Sequence, residues 1–548
     1  METIELGTVG SRPVGLSLSQ REVWLDQRAW PGSSHLNIGG GAYLVGRLDV
    51  PRLKVALDEL VAETDALRLA PKTDGSQLLL DQYAADLEWV DMSAVADPRA
   101  AMRDWWQERI RQPFALEGEP PWRFALLHAN DELHGLTIQF HHLVMDGWGT
   151  AQIMQRWSVI YNALAGGEAL EPSGSPGYLQ YVEESNAYRQ SEAFARDADF
   201  WSKQLPTLPM PLVVRRHARG RALKLPPSRL AVQGIARSDY ARLEAHASAL
   251  GLTAFNFFLA ALALYFSRIN NCQEVVLGVP SLNRSGRRYR ATPGMFVGVL
   301  VLKLTVTEAM TVSDLLVASN AALRGALRHP RYPLSELGKA LQLIRSGRDG
   351  LFDVLLSFER QDYAVTFGAA QLVDSRQIFS GDARYPLGVT VCEFHADQDL
   401  ELVLDASSEC FAAGEPALLG RRLWHLVTSL MTAPASALKD IALLPPEESW
   451  ALVQGLHKDV ASHDLPQTYV SQFEHQAALR PEAIALVWDG GTLTMPHFDR
   501  LAHRLALQLQ DTCQVPDSLV ALAMARSPAM VVALLAIAKV GAAFATGS

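Results

Sequence analysis

The sequence predicts an α/β protein of several folding units, and three observations carry that expectation. Segments with the 3.6-residue apolar period of helices occur beside segments that alternate as strands do. At roughly 150 residues per domain, 548 residues amount to about three to four units. The composition is 49% hydrophobic and 20% charged, which can fill sizeable cores and excludes a mostly disordered chain.

The elements follow in order. Leu48–Leu69 reads as a helix, because Leu53, Ala56, Leu57, Leu60 and Val61 recur at helical spacing behind Pro51. Asp97-Pro98 is an N-cap with proline in the first turn, opening a helix through Trp105 and Trp106. Leu136, Ile138 and Phe140 alternate with Thr137 and Gln139, the period of a half-buried strand. The chain then crosses His141–Gly149 into a helix with Ile153, Trp157, Ile160, Tyr161 and Leu164 on one face, ended by Gly166-Gly167. The run from Pro172 to Gly177 is rich in Pro, Gly and Ser and reads as a connection between units. Ala254–Phe266 is nearly all apolar and reads as a buried helix, with the strand Glu274–Pro280 after it. A further boundary lies near Leu443–Glu448, and Val470–Gly547 begins a different domain.

Charge and cysteine usage narrow the class. There are 49 basic and 59 acidic residues, a formal −10, which argues against a general nucleic-acid binder. Cys272, Cys392, Cys410 and Cys513 stand far apart without CxxC spacing, so neither a disulfide framework nor a zinc site is expected. The N-terminus lacks the pattern of a secretory signal, and the apolar run Ala529–Ala538 is about half of a membrane span. A soluble cytoplasmic protein is the expectation.

The sharpest local feature is His141-His142-Leu143-Val144-Met145-Asp146-Gly147, which joins the expected strand to the expected helix. A histidine there can be held rigidly yet reached by substrate, and its ordinary pKa near 6.5 suits it to act as a base. Asp146 can pair with a cation, and Gly147 permits close approach of the backbone. Two adjacent histidines alone are more often core groups at a strand end, with the aspartate as the N-cap of the next helix.

The full spacing resembles the HHxxxDG signature of the condensation domains of nonribosomal peptide synthetases, which are chloramphenicol-acetyltransferase-like acyltransferases. Further segments resemble that family in its own order. They are Leu16–Gln27 (LSLSQREVWLDQ), Pro176–Glu183, Asp199-Phe200-Trp201, Gly294–Leu302 (GMFVGVLVL), Arg328–Leu337 (RHPRYPLSEL) and Leu351–Glu359 (LFDVLLSFE), and with the motif they span about residues 14–450. The resemblance implies two acetyltransferase-like lobes forming a V-shaped pseudo-dimer. Residues 1–13 would be a leader, 14–173 the first lobe, 174–445 the second, and 446–466 a linker. It also implies amide formation between an acyl thioester and an aminoacyl group on the phosphopantetheine arm of a carrier, with no intrinsic cofactor and no metal.

By the same resemblance His142 is the catalytic residue, as a base or as a group that orients the attacking amine. Gly147 is expected to aim its N–H at the developing oxyanion. His141 and Asp146 are structural, and Arg284 matches the arginine that the family sets against this aspartate. Trp148, next to the motif, is either core packing or a wall of the donor tunnel. Two basic clusters are candidate attractors for the phosphates of coenzyme A or of the carrier arm, Arg287 and Arg288 among them. The first runs Arg215, Arg216, Arg219, Arg221, Lys224 and Arg229; the second is Arg284, Arg287, Arg288 and Arg290. Such clusters are more often only solvated.

Two departures resemble the starter subgroup, which attaches a fatty acyl group to the first amino acid of a lipopeptide. Residues 63–68 read ETDALR where an RHExLR-like segment is usual, and Gly298 stands where elongating domains commonly have Asn. The first signature lies close to Met1, so the donor is expected from outside the chain, as acyl-CoA or on a separate protein. Residues 467–548 resemble the opening of an adenylation domain and carry no phosphate-binding loop, so this fragment is expected to be inactive in adenylation. The exposed face of its apolar Met530–Ile537 run is expected to promote association. The competing readings are an elongating domain fed by another subunit, a non-catalytic recruitment platform, and an ester-forming relative.

Overall fold

Two helices with proline in the first turn form with capped ends, the Asp97 cap as expected. Asp49 accepts the Arg52 N–H at 3.0 Å with Pro51 in the first turn, and Asp97 accepts the Ala100 N–H at 3.1 Å ahead of Pro98–Ile110. The first of these helices is shorter than expected, Val50–Glu63. Thr64 turns extended, and a separate 3-10 turn covers Asp65–Arg68. The computed structural model describes residues 10–216, 224–284, 288–361, 363–457, 468–513 and 518–546. The chain divides into two compact units, Met1–Pro446 and Glu447–Ser548.

The larger unit holds two six-stranded mixed sheets. The first has the order Thr366–Phe367, Ala370–Gln377, Asn37–Val45, Leu133–His141, Trp122–Asn130, Leu87–Asp91. Helices Val50–Glu63 and Gly147–Gly166 cover one face, where Leu57, Leu60, Trp157 and Ile160 meet Leu44, Phe124 and Ile138. Helix Pro98–Ile110 covers the other, where Met102 and Trp106 meet Tyr43 and Leu127. The strand Leu133–His141 is therefore buried from His134 onward on both faces, not half-buried as its alternation suggests. Thr137 hides its hydroxyl by donating to the Gly40 carbonyl at 2.9 Å.

The second sheet runs Gly298–Thr305, Glu274–Ser281, Val354–Arg360, Leu387–Glu393, Leu400–Ser407, Ser228–Ile235. Its core is built around the buried helix Ala254–Ile269, where a Thr253/Asn256 capping box accounts for one of the two polar exceptions. The Tyr265 hydroxyl, the other exception, accepts from Arg422 at 3.1 Å.

Sequence order and lobe membership part company at one place. Residues 366–377 lie inside the segment 174–445 expected to form the second lobe. Within them Ala370–Gln377 nevertheless pairs antiparallel with Asn37–Val45, and Thr366–Phe367 pairs with it in turn, so both extend the first sheet. The reason is the open edge of Asn37–Val45, whose N–H and C=O groups need a partner strand. Two other expected boundaries also change. Ser11–Val14 of the leader is a strand paired with Gln77–Leu80, and Pro446–His457 of the linker is a helix. Leu164 is largely exposed, so that helix has a narrower apolar face than expected, and Gly167 ends it with φ 66°.

In the smaller unit the helix Pro528–Lys539 packs Leu535 and Ala536 against Phe498 and Ala502, so much of the apolar run expected to be exposed has its own core. Among the described residues no single helix is long and apolar enough to cross a membrane. The four cysteines are free thiols, and no group of three or more potential metal ligands occurs among the described residues.

Candidate active site

The HHxxxDG loop is short because both flanking elements run further than expected. The strand continues through His141, the helix starts at Gly147, and only residues 142–146 lie between them. His142 is fixed through its backbone N–H, which donates to the Leu36 carbonyl at 2.7 Å.

His141 is locked in one neutral tautomer. Its Nδ1 accepts the Leu143 N–H at 3.0 Å, so Nε2 carries the proton and donates to Gln27 Oε1 at 3.0 Å. Gln27 is held in turn by donating to the carbonyls of Trp30 and Ser33. Burial, with smaller contributions from His142 and His35, pushes the His141 pKa down to about 3. Gln20 supports the same loop by donating to the Leu143 carbonyl at 3.0 Å. The opening segment Leu16–Gln27 is thus a brace for the motif, with Ser17 and Gln20 forming its capping box.

Asp146 is fully buried and accepts four hydrogen bonds. Gly149 N–H donates to Oδ1 at 2.7 Å and Phe296 N–H to Oδ2 at 3.0 Å. The Arg284 guanidinium forks onto both oxygens at 2.8 and 2.9 Å. The same carboxylate thus caps the helix and pairs with Arg284. Arg284 also lies 4.2 Å from the centre of the Phe296 ring, and the Gly294 carbonyl accepts the Asp146 N–H at 3.2 Å. The pair joins the motif loop to the GMFVGVLVL segment. A Cβ on Gly298 would lie 2.7 Å from Asn283 Nδ2, the movable end of a side chain.

His142 and Gly147 line one cavity of about 120 Å³. Ile38, Leu136, Ile138, Met154, Leu372 and Phe394 form an apolar wall, and Glu359, Gln361 and Tyr363 a polar one. Thr150, one helical turn past Gly147, also lines it. Burial lowers the proton affinity of His142, opposed in part by the Asp146 charge and by the His142 and Met145 backbone. Gly147 is the first residue of its helix, so its N–H has no partner within the helix. A Cβ on Gly147 would come 2.9 Å from Gln361 Nε2 and 3.1 Å from Glu359 Oε2.

Two of the open alternatives are narrowed by where the side chains lie. Trp148 does not line this cavity; its indole donates to the Arg290 carbonyl at 2.7 Å, with the Arg290 guanidinium 5.8 Å from the ring centre. The helix turns it away, and Thr150 and Met154 take the place expected of it. Arg288 pairs with Glu184, while Arg215 pairs with Asp349 at 2.6 Å and Arg216 with Glu415 at 2.9 Å. These carboxylates leave the two clusters less positive than their sequence suggests. Arg287, Arg219 and Arg221 lie outside the described residues.

Glu359, Gln361 and Tyr363 were not among the candidate residues. Glu359 closes the family-like segment Leu351–Glu359, and the every-second-residue spacing of the three points to one shared face.

A model of the condensation domain matches residues 12–453, and one of AMP-binding enzymes matches residues 473–547. A dimodular nonribosomal peptide synthase of Bacillus subtilis is 27% identical over 541 residues, covering 96% of this chain and 22% of the relative. An isonitrile lipopeptide synthase of Streptomyces coeruleorubidus is 26% identical, covering 96% of this chain and 35% of the relative. The chain thus spans about a fifth to a third of these two proteins. Among solved structures, a variant of the starter condensation domain of rhizomide synthetase in complex with C8-CoA superposes with TM-score 0.69 at 27% identity, covering 79% of this chain and 98% of that one. The first condensation domain of the calcium-dependent antibiotic synthetase shares the fold, with TM-score 0.69 at 24% identity, covering 79% of this chain and 99% of that one. The chain belongs to the condensation-domain family of nonribosomal peptide synthetases, acyltransferases that form amide bonds, and carries a partial AMP-binding segment behind that domain.

Proposed function

We propose that this is a starter condensation domain, which joins a fatty acyl group from coenzyme A or an acyl carrier to an aminoacyl group on the phosphopantetheine arm of a carrier, the first step of a lipopeptide. The observation that carries the reading is the cavity beside His142 and Gly147, whose apolar wall suits an alkyl chain. Similarity to a starter domain solved with C8-CoA supports it.

In this reading the donor thioester carbonyl sits between His142 and the start of the helix at Gly147. A half-buried histidine of lowered proton affinity can offer a ring nitrogen that accepts a hydrogen bond from the amine and orients its lone pair. As the C–N bond forms, negative charge grows on the carbonyl oxygen, and the Gly147 N–H faces it at the positive end of the helix. The C–S bond then breaks and releases the thiol. Asp146–Arg284 and His141–Gln27 hold the loop and take no proton.

The test is mass spectrometry of an aminoacyl-loaded acceptor carrier incubated with acyl-CoAs of graded length. Mass gain equal to the acyl group is expected. Acylation by none of them, but by a peptidyl-carrier donor, overturns the starter reading in favour of an elongating domain.

A further inference from the structure

Glu359 stands at the end of the strand Val354–Arg360 and lines the same cavity as His142 and Gly147. Its Oε1 accepts from Ser357 Oγ at 2.6 Å, and its Oε2 accepts from Gln361 Nε2 at 2.8 Å. Tyr363 hydroxyl donates to Gln361 Oε1 at 2.6 Å, which turns the amide nitrogen of Gln361 toward the carboxylate. Ser357 and Gln361 both donate to Glu359, and Tyr363 orients Gln361, the arrangement that suits an ionised, acceptor-only carboxylate.

A carboxylate so placed ordinarily has a cation, and this one forms no ion pair among the described residues. The neighbouring Asp146 charge is already paired with Arg284. The other titratable or charged groups around Glu359 are His142 from the motif loop, Tyr363, Cys392 from the adjoining strand, and Arg376 on the cavity wall. The missing cation matches one that amide formation itself brings: the α-ammonium of the aminoacyl acceptor.

We propose that Glu359 binds this ammonium beside His142 and takes one proton from it, so that the amine reaches the thioester in its nucleophilic form. The balance is simple. The ammonium loses one proton to the Glu359 carboxylate, and the neutral amine forms the C–N bond as the C–S bond breaks. The second amine proton leaves with the thiol, and Glu359 returns its proton to water. Burial and the Asp146 charge raise the Glu359 proton affinity, which brings it nearer to that of an amine. Glu359 is then a catalytic residue, and Gln361 and Tyr363 position it. The proposal rests on amide formation and is independent of the donor class.

The test uses the whole 548-residue chain, with octanoyl-CoA as donor, or a peptidyl-pantetheine thioester if no acyl-CoA is turned over. The acceptor is alanyl-pantetheine thioester. Lactyl-pantetheine thioester, which replaces the ammonium by a hydroxyl, serves as a neutral competitor. Glu359→Gln is expected to raise acceptor KM about tenfold or more, with donor KM and lactyl inhibition within twofold of the wild type. Glu359→Asp should recover part of the loss. Acceptor KM within twofold, or an equal rise for donor or lactyl competitor, overturns the proposal. Should Glu359→Gln fold poorly, the wild type decides: alanyl thioester must bind about tenfold tighter than lactyl thioester at pH 7, and equal binding overturns it. Failure of octanoyl-CoA alone counts against the starter reading and leaves the Glu359 comparison intact.

Discussion

Removing Arg284 is the most informative perturbation of the motif loop. Asp146 is fully buried, and the Arg284 side chain is 3% exposed, so solvent cannot replace either partner in place. Arg284→Met deletes two of the four hydrogen bonds to the carboxylate and leaves its charge opposite the Gly149 and Phe296 N–H groups alone. Breaking one side of such a buried pair costs about 3–5 kcal/mol. A folded domain has about 5–15 kcal/mol in total, so the variant should fold with much reduced stability. Asp146→Asn should cost a similar amount, because it strands the guanidinium. The double variant should cost clearly less than the sum, with a coupling energy of about 2 kcal/mol or more. Urea unfolding of the four proteins measures this, provided the m values agree so that midpoint shifts convert to free energies. A coupling below about 0.5 kcal/mol would refute the view that the pair holds the loop.

Further outcomes follow from the same geometry. His142→Ala should lower amide formation about 10²–10⁴-fold while leaving thermal stability nearly unchanged, checked by single-turnover mass spectrometry and a melting curve. Met154→Trp should shift the preferred donor toward shorter acyl chains, whereas Trp148→Ala should leave the chain-length profile unchanged; competition among mixed acyl-CoAs reads both. His141 is neutral in the fold, with its pKa near 3 against an ordinary 6.5, so between those values the unfolded chain binds the extra proton. Its contribution to stability is complete above pH 6.5 and is lost as the pH falls, by up to about 1.4 kcal/mol per pH unit. Urea titrations from pH 7 to pH 5 should show this slope, and His141→Asn should reduce it, leaving the share of other histidines whose proton affinity burial lowers, such as His142 and His134.

Much of the site was legible in the chain because its residues are neighbours in sequence. The HHxxxDG spacing brings His142 and Gly147 to one strand-to-helix turn, and a local cap such as Asp97 needs only the next few residues. The partner Arg284 was found through family resemblance alone. It lies 138 residues away, and only packing brings it to Asp146. Trp148 shows the limit of adjacency: being next to the motif placed it on the far side of a helical turn, against Arg290.

Sequence by itself determined the α/β class, the order of most elements, the buried helix over Ala254–Phe266 and the short HHxxxDG turn, because periodicity, capping and short motifs are local. Tertiary structure decided what depends on distant partners. It carried residues 366–377 across to the first sheet, covered both faces of Leu133–His141, and paired the basic clusters with carboxylates. It also brought Glu359, 217 residues after His142, to the wall of the same cavity. Hydrogen bonds across a sheet edge and charges in a buried site are settled by whatever the fold sets opposite them, and no local pattern encodes that choice.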